Sequence, residues 1–122
     1  MKFNLVRIVP DNGLYIHSQV FHEIEAAVFF TLQRMGFDVT NSTNNFIPDR
    51  RNIVFGMHHC PVDVVRHDIP KDTIIYSLEQ MKEEPECMRW CRKYRGLEVW
   101  DYSSRNAEVL RKAGVENIKH FK

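Results

Sequence analysis

The sequence contains no G-x-G-x-x-G and no G-x-x-x-x-G-K-[ST]. Both glycine-rich phosphate cradles are therefore missing, which removes the dinucleotide-dehydrogenase and P-loop readings. An excess of one charge is lacking too. Seventeen Lys and Arg stand against sixteen Asp and Glu, a formal charge of +1, so no global attraction to nucleic acid or anionic membrane is expected. The apolar runs are far shorter than the ~18 residues that span a bilayer. The opening Met1-Lys2-Phe3-Asn4-Leu5 has one basic residue and is soon broken by Arg7 and Pro10, so it reads as a strand and not as a secretory signal. Cysteine is scarce: three residues, an odd number, make no disulfide framework and fit a reducing cytoplasm. There is no repeat, low-complexity tract or linker.

What is present belongs to a globular protein. Residues 1–122 hold 43% hydrophobic and 27% charged side chains, enough for the core of one domain and too few residues for two nucleotide-binding lobes. Phe3 to Val9 reads as a strand that stops at Pro10-Asp11-Asn12-Gly13. From Ser18 to Met35 the period becomes helical. Val20, Phe21, Ile24, Ala27, Val28, Thr31, Leu32 and Met35 form the stripe, and Gly36 ends it. Phe29 and Phe30 fall off this stripe, which predicts cover on more than one side of the helix.

A short strand is predicted at Phe37-Asp38-Val39-Thr40, then a polar loop at Asn41-Ser42-Thr43-Asn44-Asn45. Asn52 to Met57 is a near-continuous apolar run, as in a strand buried on both faces. Thr73 to Leu78 is another strand. Glu83, Glu84 and Glu86 around Pro85, then Arg92, Lys93 and Arg95 before Gly96, punctuate a helix in accord with its dipole. Leu97 to Trp100 is a strand. Ser103 or Ser104 caps a helix through Ala113 with Gly114 as its stop, and Glu116 to Phe121 closes with a strand. Strands alternating with helices predict an α/β, Rossmann-like three-layer domain with a mainly parallel sheet of about six strands.

In such sheets ligands bind outside the carboxyl ends of the strands. The residues predicted there are Gly13, His58, Glu79, Gln80, Asp101 and Ser103. Glu79 or a histidine is a candidate general base, although loops at strand ends are polar in every fold of this type. His58, His59 and Cys60 with Cys87 and Cys91 raise a zinc reading. Cys87 and Cys91, together with Trp90 and Tyr94, read better as the buried side of a helix. Cys60 beside His58 or His59 is a poor catalytic pair, because neighbours on a strand point to opposite faces. Arg50-Arg51 beside Asp49 reads as a solvated loop pair, and Trp100 as a core or half-core aromatic.

Two segments carry a further signal. Asp72-Thr73-Ile74-Ile75-Tyr76-Ser77-Leu78-Glu79-Gln80 and Val99-Trp100-Asp101-Tyr102-Ser103-Ser104-Arg105-Asn106, the latter followed by Leu110 and Gly114, stand in the order and separation of two motifs. Together they resemble bacterial family-1-like glycosyltransferases of the GT-B type over roughly residues 52 to 121. The first fifty residues match only in their strand-helix layout. The resemblance implies an amino-terminal, acceptor-side lobe, with Glu79, Gln80, Asp101, Ser103 and Asn106 carried over as ligand-binding residues. The alternative for these positions is that Asp101 and Ser103 serve only as strand-end and helix-cap residues, with Asn106 supporting that turn. Ser77 stands where many relatives have an amide residue. Relatives continue beyond the point matching Lys122 into a donor-binding lobe, whose groups stabilise the departing nucleotide.

Three readings follow. The chain is an incomplete acceptor-side lobe, a non-catalytic ligand- or protein-binding module, or a small hydrolase or transferase using Glu79 or His58. No catalytic residue is assigned. The expected partners are a second copy or a donor-lobe chain, and a sugar or glycan acceptor. No cofactor, metal, nucleic acid or membrane span is expected.

Overall fold

The computed structural model describes residues 1–8, 18–56, 69–77, 85–101 and 103–120. Six strands form one sheet: β1 (Lys2–Arg7), β2 (Asp38–Thr43), β3 (Arg51–Phe55), β4 (Ile74–Tyr76), β5 (Glu98–Asp101) and β6 (Ile118–His120). Their order is β2-β1-β3-β4-β5-β6, and every neighbouring pair is parallel. The described helices are α1 (Ser18–Arg34), α2 (Pro85–Cys91), which tightens into a 3-10 turn at Arg92–Tyr94, and α3 (Ser104–Lys112). This is the expected α/β, Rossmann-like architecture.

The strand order explains the layering. The step from β1 to β2 runs one way along the sheet and each later step runs the other way, so crossovers of uniform hand must put α1 opposite the rest. The two cores agree. Phe3, Leu5, Ile53, Phe55 and Ile74 pack with Ile24, Val28, Phe29 and Leu32 of α1. On the other face Val6, Val54, Ile75 and Val99 pack with Cys91 and Tyr94, with Val109 and Leu110 of α3, and with its C-cap Ala113. Strand β3 is buried on both faces, with Ile53, Val54 and Phe55 fully shielded, as its unbroken apolar run predicts.

Four expectations need correction. Asn41 to Thr43 belong to β2 and not to a loop, since parallel pairing extends through Leu5↔Asn41 to Arg7↔Thr43. Ladder bonds to β1 outweigh the poor strand propensity of Asn and Ser. The buried side of α1 is turned toward Glu25 and Phe29. Ala27, Thr31 and Met35 of the predicted stripe are exposed, Met35 at 63%. Phe30 is not covered but 59% exposed. Arg50 and Arg51 are engaged, not solvated. Arg50 pairs with Asp38 at 3.1 Å and donates to the Phe3 carbonyl, while Arg51 opens β3 and pairs with Glu98 at 2.7 Å.

A buried amide network secures the β2–β3 connection across β1. Asn4 Nδ2 donates to Ser42 Oγ and to Asn52 Oδ1, each at 3.0 Å, and Asn4 Oδ1 accepts from Thr40. Asn52 in turn accepts from the Ile47 amide and donates to the Ile47 and Arg50 carbonyls. Most polar groups at fully buried positions are satisfied in this way; among the described residues the Thr73 hydroxyl, buried with no hydrogen-bond partner, is an exception. At the end of α3, Gly114 has φ +95° and lies against Arg95, where an added Cβ would come within 2.7 Å of Nε. Arg95 Nε donates to the Ala113 carbonyl, so only glycine admits this cross-brace.

Candidate functional site

The sheet has its topological switch point between β1 and β3, because the chain leaves β1 toward β2 and leaves β3 toward β4. Ligand crevices in open parallel sheets form at this place, outside the carboxyl ends of the strands. The described residues there are Arg7 and Ile8 from β1, Phe55 and Gly56 from β3, and Tyr76 and Ser77 from β4. The ladder persists past the strand ends: the Ile8 amide donates to Phe55 O at 3.0 Å, and the Ser77 amide to Trp100 O at 2.9 Å. Gly56 is buried with φ +79°, a left-handed backbone that suits a sharp exit from β3.

Arg7 and Glu25 were missed by the sequence reading. Arg7 closes β1, and its Nε and Nη2 donate to Glu25 Oε2 of α1 at 2.9 and 2.7 Å. The pair ties the first half of α1 to the mouth of the switch point. Beside it an aromatic row crosses three strands in register. Phe55 stacks on Tyr76 with centroids 5.0 Å apart, and Tyr76 meets Trp100 edge-on at 6.4 Å. Tyr76 and Trp100 are half-buried on the face that carries α1. Burial first, and then the negative charge of Asp101, push the Tyr76 phenol above its usual range, so it keeps its proton and can donate a hydrogen bond at neutral pH.

The predicted residues fall into two groups. Gly13, His58, Glu79 and Gln80 lie outside the described residues, as do His59 and Cys60. His58 follows Gly56 by two positions and Glu79 follows Ser77 by two. Asp101, Ser103 and Asn106 are brought together. Ser103 N–H donates to Asp101 Oδ1 at 2.8 Å, Asn106 Nδ2 donates to Asp101 Oδ2 at 3.0 Å, and Asn106 N–H donates to Ser103 Oγ at 3.2 Å. Ser103 is thus the N-cap of α3. Asp101 is fully buried, and each carboxylate oxygen accepts from the turn or the first turn of α3.

Among the described residues no three His, Cys, Asp or Glu side chains gather as metal ligands. Cys91 is buried and its thiol is pushed up to about 12, by burial first and then by Cys87. The thiolate, the form that binds metal or attacks electrophiles, is therefore scarce in the folded protein near neutral pH. In the native protein Cys91 is expected to react with iodoacetamide about a thousandfold more slowly than in urea, a ratio readable from a mass-spectrometric time course. A native rate close to the unfolded one would show that this thiol is neither buried nor held protonated. No described helix is long and apolar enough to cross a membrane.

The described groups at the carboxyl edge therefore offer a neutralised ion pair, a phenol and an aromatic wall, which serve binding more readily than proton transfer. No protein-family model, no curated protein and no solved structure matches the chain.

Proposed function

We propose that this domain is the acceptor-side lobe of a two-lobe glycosyltransferase of the GT-B type. It holds a sugar or glycan acceptor outside the carboxyl ends of β1, β3 and β4, and sugar transfer requires a donor-binding lobe. The observation that carries this reading is positional. The Asp72-to-Gln80 motif contains β4, and the Val99-to-Asn106 motif runs from β5 into α3; the two strands are adjacent in one parallel sheet, and β4 lies next to β3, which flanks the switch point. The segments with Gly13 and His58 leave from β1 and β3, the two strands that flank the switch point.

A polyhydroxylated acceptor suits the groups nearby. Half-buried aromatics pack against the apolar face of a sugar ring, and polar strand-end groups bond its hydroxyls. A second reading, a non-catalytic binding module, draws support from the Asp101–Ser103–Asn106 cluster, whose mutual bonds serve the fold.

Amide NMR of the purified chain separates these readings from a self-sufficient enzyme. Saccharides are expected to shift Gly56 and Ser77 at the carboxyl edge and to leave Arg50 and Thr73 at the opposite edge unmoved. A panel of sugar nucleotides is expected to stay intact over the same period. Turnover of any of them by the isolated chain would overturn the incomplete-lobe reading. Shifts confined to the Arg50 edge would overturn the site.

A further inference from the structure

The outer face of α1 carries a pattern that its packing on the sheet does not use. Glu23, Ala27, Phe30 and Arg34 recur at spacings of four, three and four, the repeat that sets residues on one seam of a helix. All four are exposed, as are the flanking Ala26 and Thr31. The seam lies opposite Glu25, Val28, Phe29 and Leu32, which face the sheet. Neither Glu23 nor Arg34 forms an ion pair among the described residues.

The seam is self-complementary. Its midpoint falls between Ala27 and Phe30, with an acid at one end and a base at the other. An antiparallel copy placed by a two-fold axis sets Glu23 of one protomer opposite Arg34 of its partner, twice. The same axis sets each Phe30 over Ala27, and over the neighbouring Ala26, of the facing helix. Small residues let the helices approach, and each ring then fills the shallow place they leave. A parallel arrangement would instead put like charges together.

We infer that α1 is the interface of a two-fold homodimer of this chain, paired antiparallel along Glu23, Ala27, Phe30 and Arg34. This surface is independent of the crevice at the strand ends. One helix pair is smaller than a standard interface, so the association is weak, with a Kd on the order of 100 µM.

Sedimentation velocity of the full chain from about 10 µM to about 1 mM brackets this affinity. Wild type is expected to pass from monomer to dimer across the range. E23R and R34E each place like charges at both ends of the seam and are expected to weaken self-association about tenfold at low salt. Mixed together they become fully complementary, and the dimer is expected to return as a heterodimer. F30S is expected to abolish dimers, and since all three positions are exposed, far-UV circular dichroism should match wild type. A monomer at every concentration overturns the inference and leaves the face to a partner of another kind. So does a dimer indifferent to the charge exchanges, or a mixture no tighter than its components.

Discussion

Glu25→Ala is expected to lower the stability of the domain by about 3 kcal/mol, measured by urea unfolding at neutral pH. Glu25 retains only 4% side-chain exposure, and one of its oxygens takes two bonds from Arg7 at 2.9 and 2.7 Å. Removing the carboxylate takes both of these bonds from a guanidinium that is itself only 22% exposed. Breaking a buried pair from one side costs about 3–5 kcal/mol, and the residual exposure of Arg7 places the effect at the lower end. The pair as a whole contributes far less than its rupture costs. The double exchange R7M/E25L should therefore recover most of the loss, because neither charge is left without its partner. If E25A alone changed stability by less than about 1 kcal/mol, the contact would rank with ordinary surface pairs, and its hold on α1 would be negligible.

This pair illustrates what the sequence did and did not disclose. Arg7 interrupts an apolar strand and Glu25 lies in an amphipathic helix, and neither position alone names its partner. Glu25 is buried and Arg7 half-buried because each meets the other's charge. The same holds for Asn4 and Asn52, which bond each other across adjacent strands. Single positions carry no sign of such pairings, since the partner is 18 residues away in one case and 48 in the other. The alternation of strands and helices was legible because local periodicity encodes it, and so were Ser103, as one of two candidate caps, and Gly114 as a stop. The extension of β2 through Asn41–Thr43 was not. There the ladder to β1 and the bond from Asn4 to Ser42 decide, against local propensity. The rotation of α1 has the same origin, for Arg7 draws Glu25 inward and Met35 turns out. Strand order lay beyond the pattern altogether, and it is strand order that locates the switch point beside β1 and β3.

Asp101→Ala is expected to cost about 3 kcal/mol, because it removes at once the bonds that the buried Asn106 amide and the Ser103 N–H make to a charged acceptor. Asp101→Asn keeps the shape but sets one amide NH2 against another, so a loss of about 1–2 kcal/mol is expected from the bond to Asn106. The exchange D101N/N106D hands the carboxylate to the helix side of the same bond. There it lies in the first turn of α3, where a negative charge is favoured, so more than half of the single-variant loss should return. Failure of the exchange to restore stability would mean that the carboxylate is needed at the strand end itself. Ligand titration of the same three proteins then separates fold from function. If Asp101 only braces the turn into α3, saccharide affinity should track stability and recover in the double exchange. If its carboxylate meets the ligand, the restored fold should bind no better than D101N, because the charge has moved away from the crevice. The two roles predict opposite results from one stably folded protein, which no measurement on D101A alone can provide.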